Sequence, residues 1–112
     1  MLIRDGEWRG QEAGEQELPY VAPEILMGRA PDPRADVFTV GVLAYQMATG
    51  RLPYRARSMP ELLGCMLQAA PVPAAEVNAE VPRPASDAIT RALAGHASAR
   101  FASARELAAA LR

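Results

Sequence analysis

The chain has 112 residues, enough for one domain with a core of its own. Half of its residues are apolar, only 5% are aromatic and its formal net charge is −1, so no basic excess points to a nucleic-acid partner. It contains no lysine, its positive charges being arginines, which excludes lysine-dependent phosphate clamps and Schiff-base chemistry from this chain.

Residues 1–18 are polar, and Gly6, Gly10 and Gly14 interrupt any helix there. They read as a loop after a short extended piece at Met1–Ile3. Pro23 suits the first turn of a short helix ending near Gly28, and residues 29–33 form a rigid connector. A strong helix is predicted from about Arg34 to Thr49, stopped by Gly50 and Pro53. Its apolar residues, Val37, Phe38, Val40, Val42, Leu43, Ala44, Tyr45, Met47 and Ala48, cover nearly the whole circumference, so it is expected to be the most buried helix.

Ser58 is the predicted N-cap of a helix from Met59 to about Ala70, with Glu61 at the capping-box position. The four prolines of residues 71–84 predict an extended surface connection. Helices return at about Pro84–Ala94 and Ser103–Leu111, the last capped by Ser103 with Glu106 three residues on. The 23 alanines favour this all-α reading of about five short helices around one buried central helix. Cys65 lies in an apolar helical stretch and reads as a small buried hydrophobe. A lone cysteine supports neither a disulfide framework nor a metal site. Neither a signal-peptide core nor a run of ~20 apolar residues is present. The expected setting is cytoplasmic, with no membrane partner.

Four elements occur in a suggestive order. Tyr20-Val21-Ala22-Pro23-Glu24 is followed by Asp36-Val37-Phe38-Thr39-Val40-Gly41, then by Ala48-Thr49-Gly50-Arg51-Leu52-Pro53-Tyr54, and far downstream by Arg100-Phe101. Together they resemble the eukaryotic-like Ser/Thr protein kinases of bacteria, from the end of the activation segment to the last helix of the larger lobe. The resemblance implies a remnant of the activation segment at 1–18 and a partial helical C-lobe domain at 19–112.

It also implies roles. Ala22, Pro23 and Glu24 stand for the family's Ala-Pro-Glu motif, whose glutamate pairs with an arginine before the final helix, here Arg100. Asp36 stands for the aspartate that begins the central helix and accepts hydrogen bonds from catalytic-loop amides; on its own it reads as an acid at a helix N-terminus. Gly41 costs ~1 kcal/mol relative to Ala inside a helix, which close packing would justify. Glu17, Leu18, Pro19 and Tyr20 fall in the family's substrate-docking segment, where the family usually has threonine at the position of Glu17. Residues 1–38 contain no Ser or Thr, so the usual activation-loop phosphosite is missing. Glu12, Glu15 and Glu17 either imitate a phosphate's charge or form a solvated acidic loop.

The family's phosphoryl transfer needs a Gly-rich loop, a lysine, a catalytic-loop Asp with an Asn, and a magnesium-binding Asp. The lysine is absent, and the only histidine, His96, lies near the C-terminus and reads as an exposed loop residue. Ile3-Arg4-Asp5-Gly6 is either an eroded magnesium motif or a chance turn, so Asp5 is a weak metal candidate at most. No catalytic, cofactor or metal residue is therefore assigned to this chain, and Mg-ATP belongs to the intact family domain. The resemblance implies a partial Ser/Thr kinase-like domain on the substrate-docking side, not catalytic alone. The alternative is a pseudokinase-like helical interaction module without nucleotide; an unrelated helical adaptor would not account for the four ordered elements. Since the catalytic loop and an earlier long helix are missing, Leu, Val and Met side chains should face water. The expected partner is a protein, either the missing kinase half or a second copy.

Overall fold

A computed structural model of the protein describes residues 18–112. The expected polar loop, with Asp5, Gly6, the acidic run and Glu17, lies outside the described residues. A single 3-10 turn, Leu18–Tyr20, leads into α1 (Pro23–Leu26) and α2 (Pro33–Thr49). Then come α3 (Met59–Gln68), α4 (Ala74–Val77), α5 (Arg83–Ala92), a 3-10 turn at Ala97–Ala99, and α6 (Ala104–Leu111). Among the described residues every regular element is helical.

The helix ends follow from local chemistry. Pro23 occupies the first position of α1, and Gly28 takes φ +90°, which a side chain would strain. The amides of Gly28 and Arg29 then reach back to the Ile25 and Glu24 carbonyls at 2.9 and 3.0 Å, a Schellman closure. Asp32 caps α2, its Oδ1 accepting from the Arg34 amide at 2.7 Å, and Gly50 ends that helix in the left-handed region. Ser58 and Ser103 each accept from the amide three residues on, Glu61 and Glu106, at 3.3 and 3.2 Å. Both glutamates return to the amide one residue before the cap, Arg57 and Ala102, so each box closes one residue wider than the standard form. Helix α3 stops at Gln68, short of the expected Ala70, because the residue before Pro71 is pushed towards extended backbone.

The core has two adjoining parts, and α2 contributes to both. Phe38, Val42 and Tyr45 pack with Tyr54, Leu62, Met66, Ile89 and Leu93 on one side. Val37 packs with Ala88, Ala92, Phe101 and Leu107 on the other. Each large apolar side chain so buried is worth ~1.5–3 kcal/mol, more than the weak helix propensity of valine takes away.

Two expectations need correction. Residues 71–84 are not a plain extended surface connection. They contain α4, whose Ala74 is fully buried, and they are stitched to α2. The Tyr45 hydroxyl donates to the Val72 carbonyl at 2.7 Å, and Asn78 Nδ2 donates to the Ala48 carbonyl at 3.0 Å. The Ser86 hydroxyl of α5 also accepts from the Ala75 amide at 3.0 Å. Prolines that forbid a long helix still allow one short turn that opens on Pro73. Nor is α2 buried all round; its open side bears the Val, Leu and Met side chains that were expected to face water. Val40, Leu43 and Met47 are 37%, 45% and 85% exposed, and their spacing puts them on one face.

Candidate functional site

Among the described residues the most extensively hydrogen-bonded side chain is Arg100, which is 3% exposed. Its guanidinium forks onto Glu24, Nη1 to Oε2 at 2.8 Å and Nη2 to Oε1 at 2.9 Å, across 76 positions of sequence. Nε donates to the Ala94 carbonyl at 2.7 Å, Nη1 also to Arg34 at 3.0 Å, and Nη2 also to Gly95 at 3.2 Å. All five N–H donors of the side chain are therefore used. The group also lies 5.0 Å from the centre of the Phe38 ring, which stacks on Tyr54. One side chain thus joins α1, the first turn of α2, the loop after α5 and the aromatic core.

The local fold prepares this fork at both ends. The Schellman closure of α1 holds the Glu24 backbone, and the 3-10 turn Ala97–Ala99 aims Arg100 inward. Gly95 runs so close to α3 that an added Cβ would collide with the Met66 carbonyl oxygen. Desolvation would raise the Glu24 carboxyl and Asp32 adds to that. The hydrogen bonds from Arg100, Glu24's own amide and the Arg100 charge outweigh both and leave it below its ordinary value of 4.5. Burial pushes the Tyr54 hydroxyl up to about 12, with Arg100 opposing and Cys65 adding to the rise, while that hydroxyl donates to the Leu93 carbonyl at 3.1 Å.

The remaining sequence-predicted positions are placed as follows. Ala22, the N-cap of α1, and Pro23, its first residue, are both buried. Gly41 faces α5, where a Cβ would stand 2.8 Å from Ala92 Cβ and 3.3 Å from Leu93 Cδ2, so close helix packing is the reason for glycine. Tyr20 is fastened to α2: its hydroxyl donates to Gln46 Oε1 at 2.8 Å, and its carbonyl accepts from the Thr39 hydroxyl at 2.7 Å. Pro19 is half-buried in the same segment. Asp36 is exposed in the first turn of α2 and lines up with Val40, Leu43 and Met47 at helical spacing. The fork brings Glu24 and Arg100 together; Asp36 stands apart from them on the open face. His96 is exposed, as expected.

Sequence reasoning missed the three backbone carbonyls that complete the Arg100 shell. The five-donor count carried that signal, because a buried guanidinium with two carboxylate oxygens must find three more acceptors. It also missed Gln46 and Thr39, which nothing but the fold brings to Tyr20.

No family model matches the chain. Individual relatives do. The serine/threonine-protein kinase PksC of Streptomyces coelicolor is 39% identical over 89 residues, covering 79% of this chain and 16% of that protein. The serine/threonine-protein kinase Pkn1 of Myxococcus xanthus is 39% identical over 84 residues, covering 75% of this chain and 12% of that protein. The chain carries a serine/threonine protein kinase-like segment. The twitchin kinase region from C. elegans shares the fold of this kinase-like segment, with a TM-score of 0.64 over 84% of the chain and 16% of the twitchin region at 19% identity. The architecture fits a kinase C-lobe-like unit. The chain spans less than a fifth of the length of these relatives.

Whether the kinase-like residues suit Mg-ATP follows from their chemistry. The sequence has no lysine to meet a phosphate, and no group of three or more His, Cys, Asp or Glu gathers among the described residues.

Proposed function

We propose that this chain supplies the substrate-docking side of a Ser/Thr protein kinase C-lobe and works only with the nucleotide-handling part of such a domain. The observation that carries this is the exposed Val40–Leu43–Met47 stripe on the helix that forms the core, continued by Asp36. An apolar stripe of this kind on the central helix is the seat of a neighbouring element rather than a solvent face. Full burial of such a side chain is worth ~1.5–3 kcal/mol, so covering the exposed part of Val40, Leu43 and Met47 would offset some of the cost of association. In this reading the fork of Glu24 and Arg100 holds the Ala22-Pro23-Glu24 turn in place, and residues 17–20 present a protein substrate. Asp36 receives catalytic-loop amides from the complementary part. That part binds Mg-ATP, and the assembled domain transfers phosphate to protein Ser or Thr in a cytoplasmic setting. Glu17, in place of the family's threonine, favours the second reading, a pseudokinase-like interaction module that uses the same stripe for a protein partner without nucleotide.

Reconstitution tests the first reading. The chain is mixed with the remainder of a related bacterial kinase domain, Mg-ATP and a protein substrate, and phosphate incorporation is measured. Incorporation should require both parts and should fall when Leu43→Glu and Met47→Glu are combined. Stable association without any incorporation would favour the pseudokinase-like reading; no association at all would overturn both.

A further inference from the structure

We infer that the loop between α2 and α3, through Arg51, Arg55 and Arg57, docks an acidic segment of a protein substrate beside residues 18–20. Three positive charges fall within seven residues of a chain whose net charge is −1, and no acid occurs from Ala48 to Pro60. All three arginines are exposed. Among the described residues the carboxylate ion pairs engage Arg34 and Arg100, and none of these three.

The loop that carries them is held at three points. The Thr49 hydroxyl accepts from the Arg51 amide at 3.0 Å, and the Tyr54 ring stacks on Phe38 while its hydroxyl reaches Leu93. The Arg57 amide donates to Glu61 Oε1 at 3.1 Å, which turns that carboxylate towards the backbone. Backbone fixed in this way lowers the entropy lost when the arginines grip a ligand. Planar guanidinium forks suit carboxylates, two oxygens to a fork.

Position selects the ligand class. Gln46, which holds the Tyr20 hydroxyl, lies only five residues before Arg51 on the last turn of α2. A polypeptide that extends from residues 18–20 past Gln46 would reach the Arg51 end of this loop, where carboxylates would find a guanidinium. The inference deepens the proposed function and rests on its reading of residues 17–20 as a docking segment.

The test uses the full chain and a short fluorescein-labelled peptide rich in Glu and Asp, with a Gln- and Asn-substituted peptide as control. Anisotropy should saturate for the acidic peptide alone, and its affinity should fall as salt rises. Combining Arg51→Gln, Arg55→Gln and Arg57→Gln should weaken binding about tenfold, as three exposed charge pairs would. The melting temperature should stay unchanged, which separates lost contacts from lost fold. Equal binding by this variant, or equal binding of the neutral peptide, would overturn the inference, as would tighter binding of a single-stranded oligonucleotide. The measurement needs neither nucleotide nor a second kinase part. Loss of the arginine effect therefore leaves the proposed function standing, and failed reconstitution leaves arginine-dependent binding intact.

Discussion

Replacing Arg100 by alanine removes more than an ion pair. Glu24, whose side chain is 15% exposed, would keep its charge without a counter-ion, and the carbonyls of Arg34, Ala94 and Gly95 would lose a donor together. Removing one partner of a buried, hydrogen-bonded pair costs ~3–5 kcal/mol. A domain of this size has on the order of 5–15 kcal/mol in all. At ~4–8 °C per kcal/mol, the melting temperature of Arg100→Ala should fall by at least about 12 °C. Arg100→Lys keeps the charge but loses the fork and two of five donors, so it should fall between the two proteins. Thermal and urea unfolding followed by circular dichroism give both numbers. The double variant Glu24→Ala with Arg100→Ala should cost clearly less than the sum of its singles, since the stranded charge is gone. A loss below ~1 kcal/mol for Arg100→Ala, typical of a surface charge, would refute the idea that this side chain ties the domain together.

Three further outcomes follow from the geometry. Because the Glu24 carboxyl lies below its ordinary value when folded, its pairing stabilises the protein above pH 4.5 and is lost as pH falls through the folded value; acid titration of Glu24→Gln should therefore converge on the parent protein at low pH. The Tyr54 hydroxyl is raised from 10 to about 12, so its contribution is complete below pH 10 and lost between 10 and 12; Tyr54→Phe should unfold less steeply in that window. Gly41→Ala should carry an overpacking cost of ~1–3 kcal/mol from a Cβ 2.8 Å from Ala92, partly offset by a propensity gain of ~1 kcal/mol, for a net loss of up to ~2 kcal/mol; higher stability than the parent would show that α2 and α5 can separate freely.

Local chemistry made much of this protein legible from its sequence. Caps and breakers act within a few residues, so Ser58, Ser103 and Gly50 locate helix ends without reference to the rest of the chain. Four ordered motifs pointed to the kinase family and to the pairing of Glu24 with Arg100, which the structure shows as a fork. Other features depend on contacts between distant residues. The turn Ala74–Val77 exists because Ala74 finds a buried seat and Asn78 and Val72 find partners on α2, not because its own proline-rich sequence favours helix. The apolar circumference of α2 promised burial on every side, yet Val40, Leu43 and Met47 face water, because which side of a helix is covered depends on what other elements are present to cover it. The donor count of Arg100 called for three more acceptors, but not for the carbonyls of Arg34, Ala94 and Gly95 in particular. Backbone oxygens carry no residue identity, and only the tertiary fold decides which of them converge on a buried guanidinium.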